Sequence, residues 1–381
     1  MKLLILEDVN INKHLIDSAI SDLDVLTVSF NSICDAFEHI YSDSTPFILI
    51  SEIIDTAEVH FKKMNETIAL PHFKGVIFLS KFGDEIIDTA KQMGRYMGFD
   101  NIHGLGLPAT SLQIKEKILR VTTFERNRKN ILRKKLGIDE IEVALANGLF
   151  EPYFQAQVYS SSEKVRGFEI LSRLCIDEHV YTPDAFIDTI IEHKRITEFT
   201  FIILKKTLSL LTKYNEFDGT LSLNVDYQSL EYFDFAKEIL EILEQAEFPR
   251  NRFTVEITEN NPTVNISVMH NLALFRMADC QLSIDDFGTK NSGFTELLKF
   301  PFSELKIDRN FVRDMMEFPR TYKVVKALCA VAKSLDCTIV AEGVENQAQR
   351  AILIELEVSY IQGYLYSKPL PIHEAMKLLS D

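Results

Sequence analysis

The chain has 381 residues, a formal net charge of −15, no Trp and 27 Phe. That length favours at least two domains, and the acidic balance excludes a protein that grips nucleic acid through a broad basic face. A small phosphate ligand is not excluded, because a metal ion or a few local cations reverse the field of a single cleft.

The opening stretch MKLLILEDVN reaches Glu7 and Asp8 after a few apolar residues, too few for a secretion signal or a membrane span. The remaining apolar runs also fall short of the roughly 18 residues a span needs. Five cysteines (34, 175, 280, 329 and 337) lack CxxC spacing and read as small core residues of a reducing compartment. The expectation is a soluble cytoplasmic protein without membrane or nucleic-acid partners.

Over residues 1–121, KLLILE, FILISEI and GVIFLS read as buried strands, and NINKHLIDSAISDL and DEIIDTAKQMG as helices, the second stopping at Gly94. The alternation predicts an α/β domain with a doubly wound parallel sheet. Residues 122–138 follow as a helical connector. Its basic run ERNRKNILRKK reads as a solvated helix face, with Gly137 as a stop.

Residues 139–381 hold eight strand-like runs: EPYFQAQV, VRGFEIL, LSLNV, RFTVEIT, QLSIDD, ELKID, CTIVAE and SYIQGYLY. Helical stretches such as AFIDTIIEHKRITEFTFIILKKTLSLL and TYKVVKALCAVAKSL separate most of them. Eight strands in about 240 residues predict a TIM-like (β/α)8 barrel.

The strand ends of this barrel carry chemistry. Glu169, Asn224, Glu256, Asp285, Asp286, Lys306, Glu342 and Gln362 stand at or near the ends of successive strands, with Glu259 just beyond Glu256. One acid after a strand is usually a cap or a turn residue. Repeated around a barrel, the ends converge on one face, where crowded carboxylates repel and are costly to desolvate. All-oxygen donors without Cys or His point to hard cations, Mg²⁺ or Mn²⁺. Adjacent Asp285 and Asp286 suit a pair of ions that Asp285 bridges, an arrangement used for in-line phosphoryl displacement. Gly288 lets the next loop bend.

The motifs FEIL, DDFG, LKID, AEGVE and QGYLYSKPL, in that order over residues 139–381, resemble the EAL domains, phosphodiesterases of bacterial cyclic di-GMP. The resemblance implies a barrel whose first strand runs antiparallel to the rest, and metal-dependent hydrolysis of cyclic di-GMP to linear pGpG. It makes Glu169 the signature Glu and a metal ligand. Asn224, Glu256 and Asp285 match further ligands, and Asp286 the second Asp of the metal centre. Lys306 matches the Lys that orients the nucleophilic water, and Glu342 a Glu that acts as general base or as metal ligand. Gln362 matches a Gln beside water and substrate, and Glu259 the anchor of the DDFG loop. Gln155, Leu171 and Arg173 match substrate-facing positions. Ile170 replaces the family's Ala, Ala156 the Pro of FQP, and Lys290 and Asn291 the Gly and aromatic residue after DDFG-Thr. Every matched ligand is present, so the expectation is intact chemistry with altered rate or regulation.

Residues 1–121 resemble a two-component receiver. Glu7 and Asp8 match its acidic Mg²⁺-binding pair, Glu52 stands where the phosphoacceptor Asp belongs, and Ser80 matches the hydroxyl residue. Leu107-Pro108 replaces the family's Lys-Pro. Glu52 is a methylene longer than Asp, so the expectation is a structural or dimerising receiver without a working sensor kinase as partner. Asp55 lies three residues on and need not face the same pocket. Homo-oligomerisation through either domain is expected. Two competing readings remain: a cyclic di-GMP sensor that binds without cutting, and a scaffold that uses the fold alone.

Overall fold

The computed structural model describes residues 2–6, 13–23, 25–30, 33–43, 45–52, 72–81, 86–91, 101–123, 135–176, 179–214, 217–258, 265–287 and 300–379. The chain divides into two compact units, Met1–Ile131 and Leu132–Asp381.

In the first unit, β1 (Lys2–Leu6), β2 (Leu26–Phe30), β3 (Phe47–Glu52), β4 (Phe73–Ser80) and β5 (Ile102–Gly106) form a parallel sheet in the order β2-β1-β3-β4-β5. This is the flavodoxin-like doubly wound order. Leu4, Leu6, Leu49 and Phe78 pack on one face with Ala36 and Ile40; Leu3, Ile5, Ile48 and Ile50 pack on the other with Ile16, Ile114 and Ile118. Both faces are covered, which is why KLLIL and FILIS read as unbroken apolar runs rather than alternations. Two strands escape the sequence reading. β2 is half-exposed along its length, and β5 carries two glycines that bury no side chain. Of the expected helix ending at Gly94, residues 86–91 are helical and the rest lies outside the described residues.

All but the last residue of ERNRKNILRKK lies outside the described residues. Gly137 precedes the helix Ile138–Ala146, and its N–H donates to the Glu140 carboxylate at 3.0 Å; the connector helix it was expected to stop lies outside the described residues. The acid three residues on satisfies an amide that a helix N-terminus leaves free.

In the second unit, β6 (Phe150–Tyr159), β7 (Val165–Ile176), β9 (Thr220–Val225), β10 (Phe253–Thr258), β11 (Gln281–Phe287), β12 (Glu304–Ile307), β13 (Thr338–Ala341) and β14 (Tyr360–Gln362) pair in sequence order. β6 closes the ring between β14 and β7. All eight expected strands are there, and β6 runs antiparallel to both neighbours while the other ring pairs are parallel. A three-residue strand, β8 (His179–Tyr181), extends β7 outside the ring as a hairpin. The long helical stretch over 185–211 is two helices, Ile187–Glu192 and Ile196–Leu211, broken where Lys194 takes φ 56°.

Period-two alternation positions the site. Leu221, Leu223 and Val225 of β9, Phe253, Val255 and Ile257 of β10, and Leu305 and Ile307 of β12 are buried in the apolar core. The residues between them, Ser222 and Asn224, Thr254 and Glu256, Glu304 and Lys306, therefore share the opposite, inward face. Phe150 packs edge-on against Phe186 and Phe199 at 5.1 and 5.0 Å, locking helix Ile196–Leu211 onto the barrel. Deeper in the barrel, Arg166 Nη1 pairs with Glu304 Oε2 at 2.6 Å and its guanidinium lies 3.8 Å over the Tyr360 ring. Among the described residues, no helix is long and apolar enough to cross a membrane.

Candidate active site

Four strands bring carboxylates to one ammonium. Lys306 is fully buried, and its Nζ lies 2.6 Å from Glu342 Oε1, 2.7 Å from Glu256 Oε2, 3.4 Å from Asp285 Oδ1 and 3.5 Å from Glu169 Oε2. The ladder explains the convergence. Glu256 is in register with Asn224 on β9, and Glu169 with Gln155 on β6. Asn224 Nδ2 donates to Glu169 Oε1 at 2.6 Å, and Gln362 Nε2 donates to Glu169 Oε2.

The electrostatics follow from burial and crowding. Burial opposes the charge on Lys306, but Asp285, Glu169, Glu256 and Glu342 outweigh it and hold the ammonium well above its ordinary range. Burial alone would raise Glu169; Lys306 with the Gln362 and Asn224 hydrogen bonds brings it below the usual carboxylate value. Glu256 goes the other way, pushed well above by burial and by the neighbouring Glu169 charge. Glu342 is pushed up to about 8 by burial, with Lys306 opposing and Asp285 and Glu169 adding to the rise. The cluster carries more negative charge than Lys306 offsets. Oxygen donors, burial and surplus negative charge together fit a hard divalent cation. As they stand, no three or more Asp, Glu, His or Cys among the described residues are grouped so as to hold a metal ion; the carboxylates gather around the ammonium instead.

A cleft of about 880 Å³ opens beside the cluster, lined by Glu169, Asn224, Asp285, Glu342, Gln362 and Gln155. Leu171, Asp184, Arg309 and Tyr364 add a mixed wall, and Ile187, Ile191, Ile196 and Phe199 an apolar one. Gly343, next to Glu342, has φ +64°, and a Cβ there would sit 2.4 Å from Arg309 Cβ. The turn that aims Glu342 therefore needs a glycine. Gly363, after Gln362, approaches the Val344 backbone so closely that a Cβ would lie 2.2 Å from its carbonyl oxygen.

The structure thus brings together Glu169, Asn224, Glu256, Asp285, Lys306, Glu342, Gln362 and Gln155. Leu171 lines the cleft; Arg173 does not. The guanidinium of Arg173 lies 5.4 Å over the Tyr153 ring, donates to Ser172 O at 2.8 Å and is within electrostatic reach of Asp184 and Tyr364. The backbone of Asp286 continues β11, with its side chain outside the described residues, as are Glu259 and the loop carrying Gly288, Lys290 and Asn291. In the first unit, Ser80 ends β4 fully buried and Glu52 ends β3 in register with Leu79. The Glu52 side chain, Glu7, Asp8 and Asp55 lie outside the described residues. Leu107-Pro108, joined by a cis peptide, follows β5. One site residue escapes sequence reading: Gln157, fully buried on β6, whose Nε2 is 3.2 Å from Gln362 Oε1 and 3.5 Å from Glu256 Oε1. Its signal was the Gln-x-Gln spacing in FQAQV, which puts it on the same strand face as Gln155.

Comparison with known proteins agrees with this geometry. Residues 138–369 match the EAL domain family model. The cyclic di-GMP phosphodiesterase RocR of Pseudomonas aeruginosa is 30% identical over 309 residues, covering 77% of this chain and 77% of RocR. That alignment is longer than the barrel unit, so the likeness includes part of the first unit. The signaling protein YkoW of Bacillus subtilis is 26% identical over 331 residues, 85% of this chain, but the chain spans only 40% of YkoW. Among solved structures, the EAL enzyme Bd1971, in a form with cAMP and cyclic di-GMP bound, superposes with a TM-score of 0.59 at 27% identity, covering 71% of this chain and 80% of that one. With the family model matching more than half of its length, this chain belongs to the EAL domain family.

Proposed function

We propose that the barrel is a divalent-metal-dependent phosphodiesterase that hydrolyses cyclic di-GMP to pGpG, using Mg²⁺ or Mn²⁺. The observation that carries the reading is the set of buried carboxylates Glu169, Glu256 and Asp285 around Lys306, with half-buried Asn224 bonded to Glu169, whose surplus negative charge calls for a cation. RocR, alike over three quarters of both chains, is a cyclic di-GMP phosphodiesterase, and the EAL enzyme Bd1971 has been solved with that nucleotide bound. The cleft has the volume of a small-ligand site.

Glu169, Asn224, Glu256 and Asp285 would hold the cation, with Asp286 beside them. A divalent cation held there would supply positive charge against the phosphate and lower the pKa of a water molecule. The protein's own groups do the rest. Asn224 and Gln362 fix the orientation of Glu169. Glu342, partly buried and raised toward neutrality, is matched to taking a proton from the attacking water. Lys306 stays charged, holds Glu342 and Glu256 in place, and offers its ammonium to negative charge that develops on the phosphate. Leu171 and Gln155 line the substrate's path, and Arg173 stands near it with a fork suited to phosphate or a guanine edge. The first unit serves as a receiver-like regulatory module.

The reading predicts that Glu169→Ala removes a cation donor, lowering turnover by about a thousandfold or more and weakening Mn²⁺ uptake, a magnitude in line with loss of a major electrostatic group. Kinetics and Mn²⁺ titration of the folded variant test it; near-normal turnover contradicts it.

A further inference from the structure

Three glutamines form a chain with one direction. Ser367 O, a backbone carbonyl, accepts from Gln155 Nε2 at 3.1 Å. Gln155 Oε1 must then face the other way, and it accepts from Gln362 Nε2 at 3.0 Å. That leaves Gln362 Oε1 to accept from Gln157 Nε2 at 3.2 Å. A carbonyl at the start fixes every amide after it, since flipping any one would oppose two acceptors or two donors. The result is two N–H groups aimed at carboxylates: Gln362 at Glu169 Oε2, and Gln157 at Glu256 Oε1 over 3.5 Å. Gln157 ends the chain, and its own Oε1 is buried with no hydrogen-bond partner among the described residues. A buried acceptor without a partner is a stability cost. An apolar residue of the same size would avoid it, so the amide's value lies in what its N–H holds.

We infer that Gln157 is a positioning residue for cation binding: it terminates the amide chain and holds Glu256 by its Oε1, while Lys306 holds Oε2 at 2.7 Å, so that the carboxylate is fixed from both sides. The inference rests on the metal-dependent reading above and extends it to a residue outside the donor set. Partners of this kind orient ligands and typically change metal affinity by 10–100-fold when removed. A packing role makes the opposite prediction, because Met fills the same space without an orphaned oxygen.

The test is Gln157→Met in the full chain, read three ways: melting temperature in EDTA, Mn²⁺ dissociation constant by calorimetry, and turnover of cyclic di-GMP against Mn²⁺ concentration. Expected are an unchanged or higher melting temperature, a Mn²⁺ dissociation constant raised by about 10–100-fold, and turnover that is lost at limiting Mn²⁺ but restored at saturation with KM unaltered. A folded variant with wild-type Mn²⁺ affinity overturns the inference, as does a loss that excess Mn²⁺ does not restore. If Met prevents folding, Gln157→Asn, which keeps the amide but withdraws it by one methylene, is read in the same way. Wild-type protein that takes up no Mn²⁺ would remove the metal reading itself, and the inference with it; the wild-type titration tells that failure apart.

Discussion

Lys306 is the residue on which the barrel interior depends. Its ammonium is the contact that Glu169, Glu256, Asp285 and Glu342 share. Lys306→Met should abolish turnover and cost about 3–5 kcal/mol of stability near neutral pH, the range for removing one partner of a buried ionic group. The loss should shrink in acid, where the carboxylates take up protons, and in Mn²⁺, which supplies positive charge. Chemical denaturation with and without Mn²⁺ checks this; equal losses with and without the ion would contradict it. Glu342 gives a second handle. Its carboxyl is raised from 4.5 to about 8, so the folded chain binds that proton more tightly than the unfolded chain does. Its contribution to stability is therefore greatest below pH 4.5 and is lost as pH rises through about 8. In EDTA, Glu342→Gln should flatten the fall in melting temperature across that window; an unchanged slope would count against the assignment. These acids were legible in the sequence because each follows a short apolar run at a fixed place. Gln157 was not, since an uncharged amide within a strand is set apart from core filler only by the Gln-x-Gln spacing of FQAQV.

At the scale of elements, two glycine turns hold the catalytic face. Gly343→Ala meets both a left-handed backbone and the Arg309 side chain. It should cost about 1–3 kcal/mol and lower turnover by displacing Glu342, measured as melting temperature and kcat on the same preparation. Full activity at wild-type stability would show that the turn relaxes freely. All eight barrel strands were readable because their outer faces must be apolar to meet helices. β2 and β5 were missed for the reverse reason: one is half-exposed, and the other has glycine where side chains would show a period. The break in 185–211 was invisible because Lys194, neither Gly nor Pro, adopts the positive φ. That Gly137 also starts a helix was missed because a glycine before a helix and one after it look alike without the next acid, Glu140, taken into account.

At the scale of the whole molecule, the chain joins a parallel five-stranded sheet to a barrel. The first unit has the receiver-like strand order, yet Glu52 occupies the expected acceptor position and Leu107 the expected lysine position. Acetyl phosphate or beryllofluoride should therefore change turnover by less than about twofold, against the 5–150-fold typical of a working allosteric coupling. A larger activation, lost in Glu52→Ala, would show a live phosphoacceptor pocket. The fold of both units was legible from strand rhythm, whereas the departures at Lys290 and Asn291 lie outside the described residues. The most direct measurement is hydrolysis of cyclic di-GMP by the full chain in Mg²⁺, Mn²⁺ or EDTA, with products separated by chromatography. The account predicts pGpG in either metal and none in EDTA; folded protein that binds the nucleotide but releases no pGpG in either metal would contradict it and make the barrel a sensor.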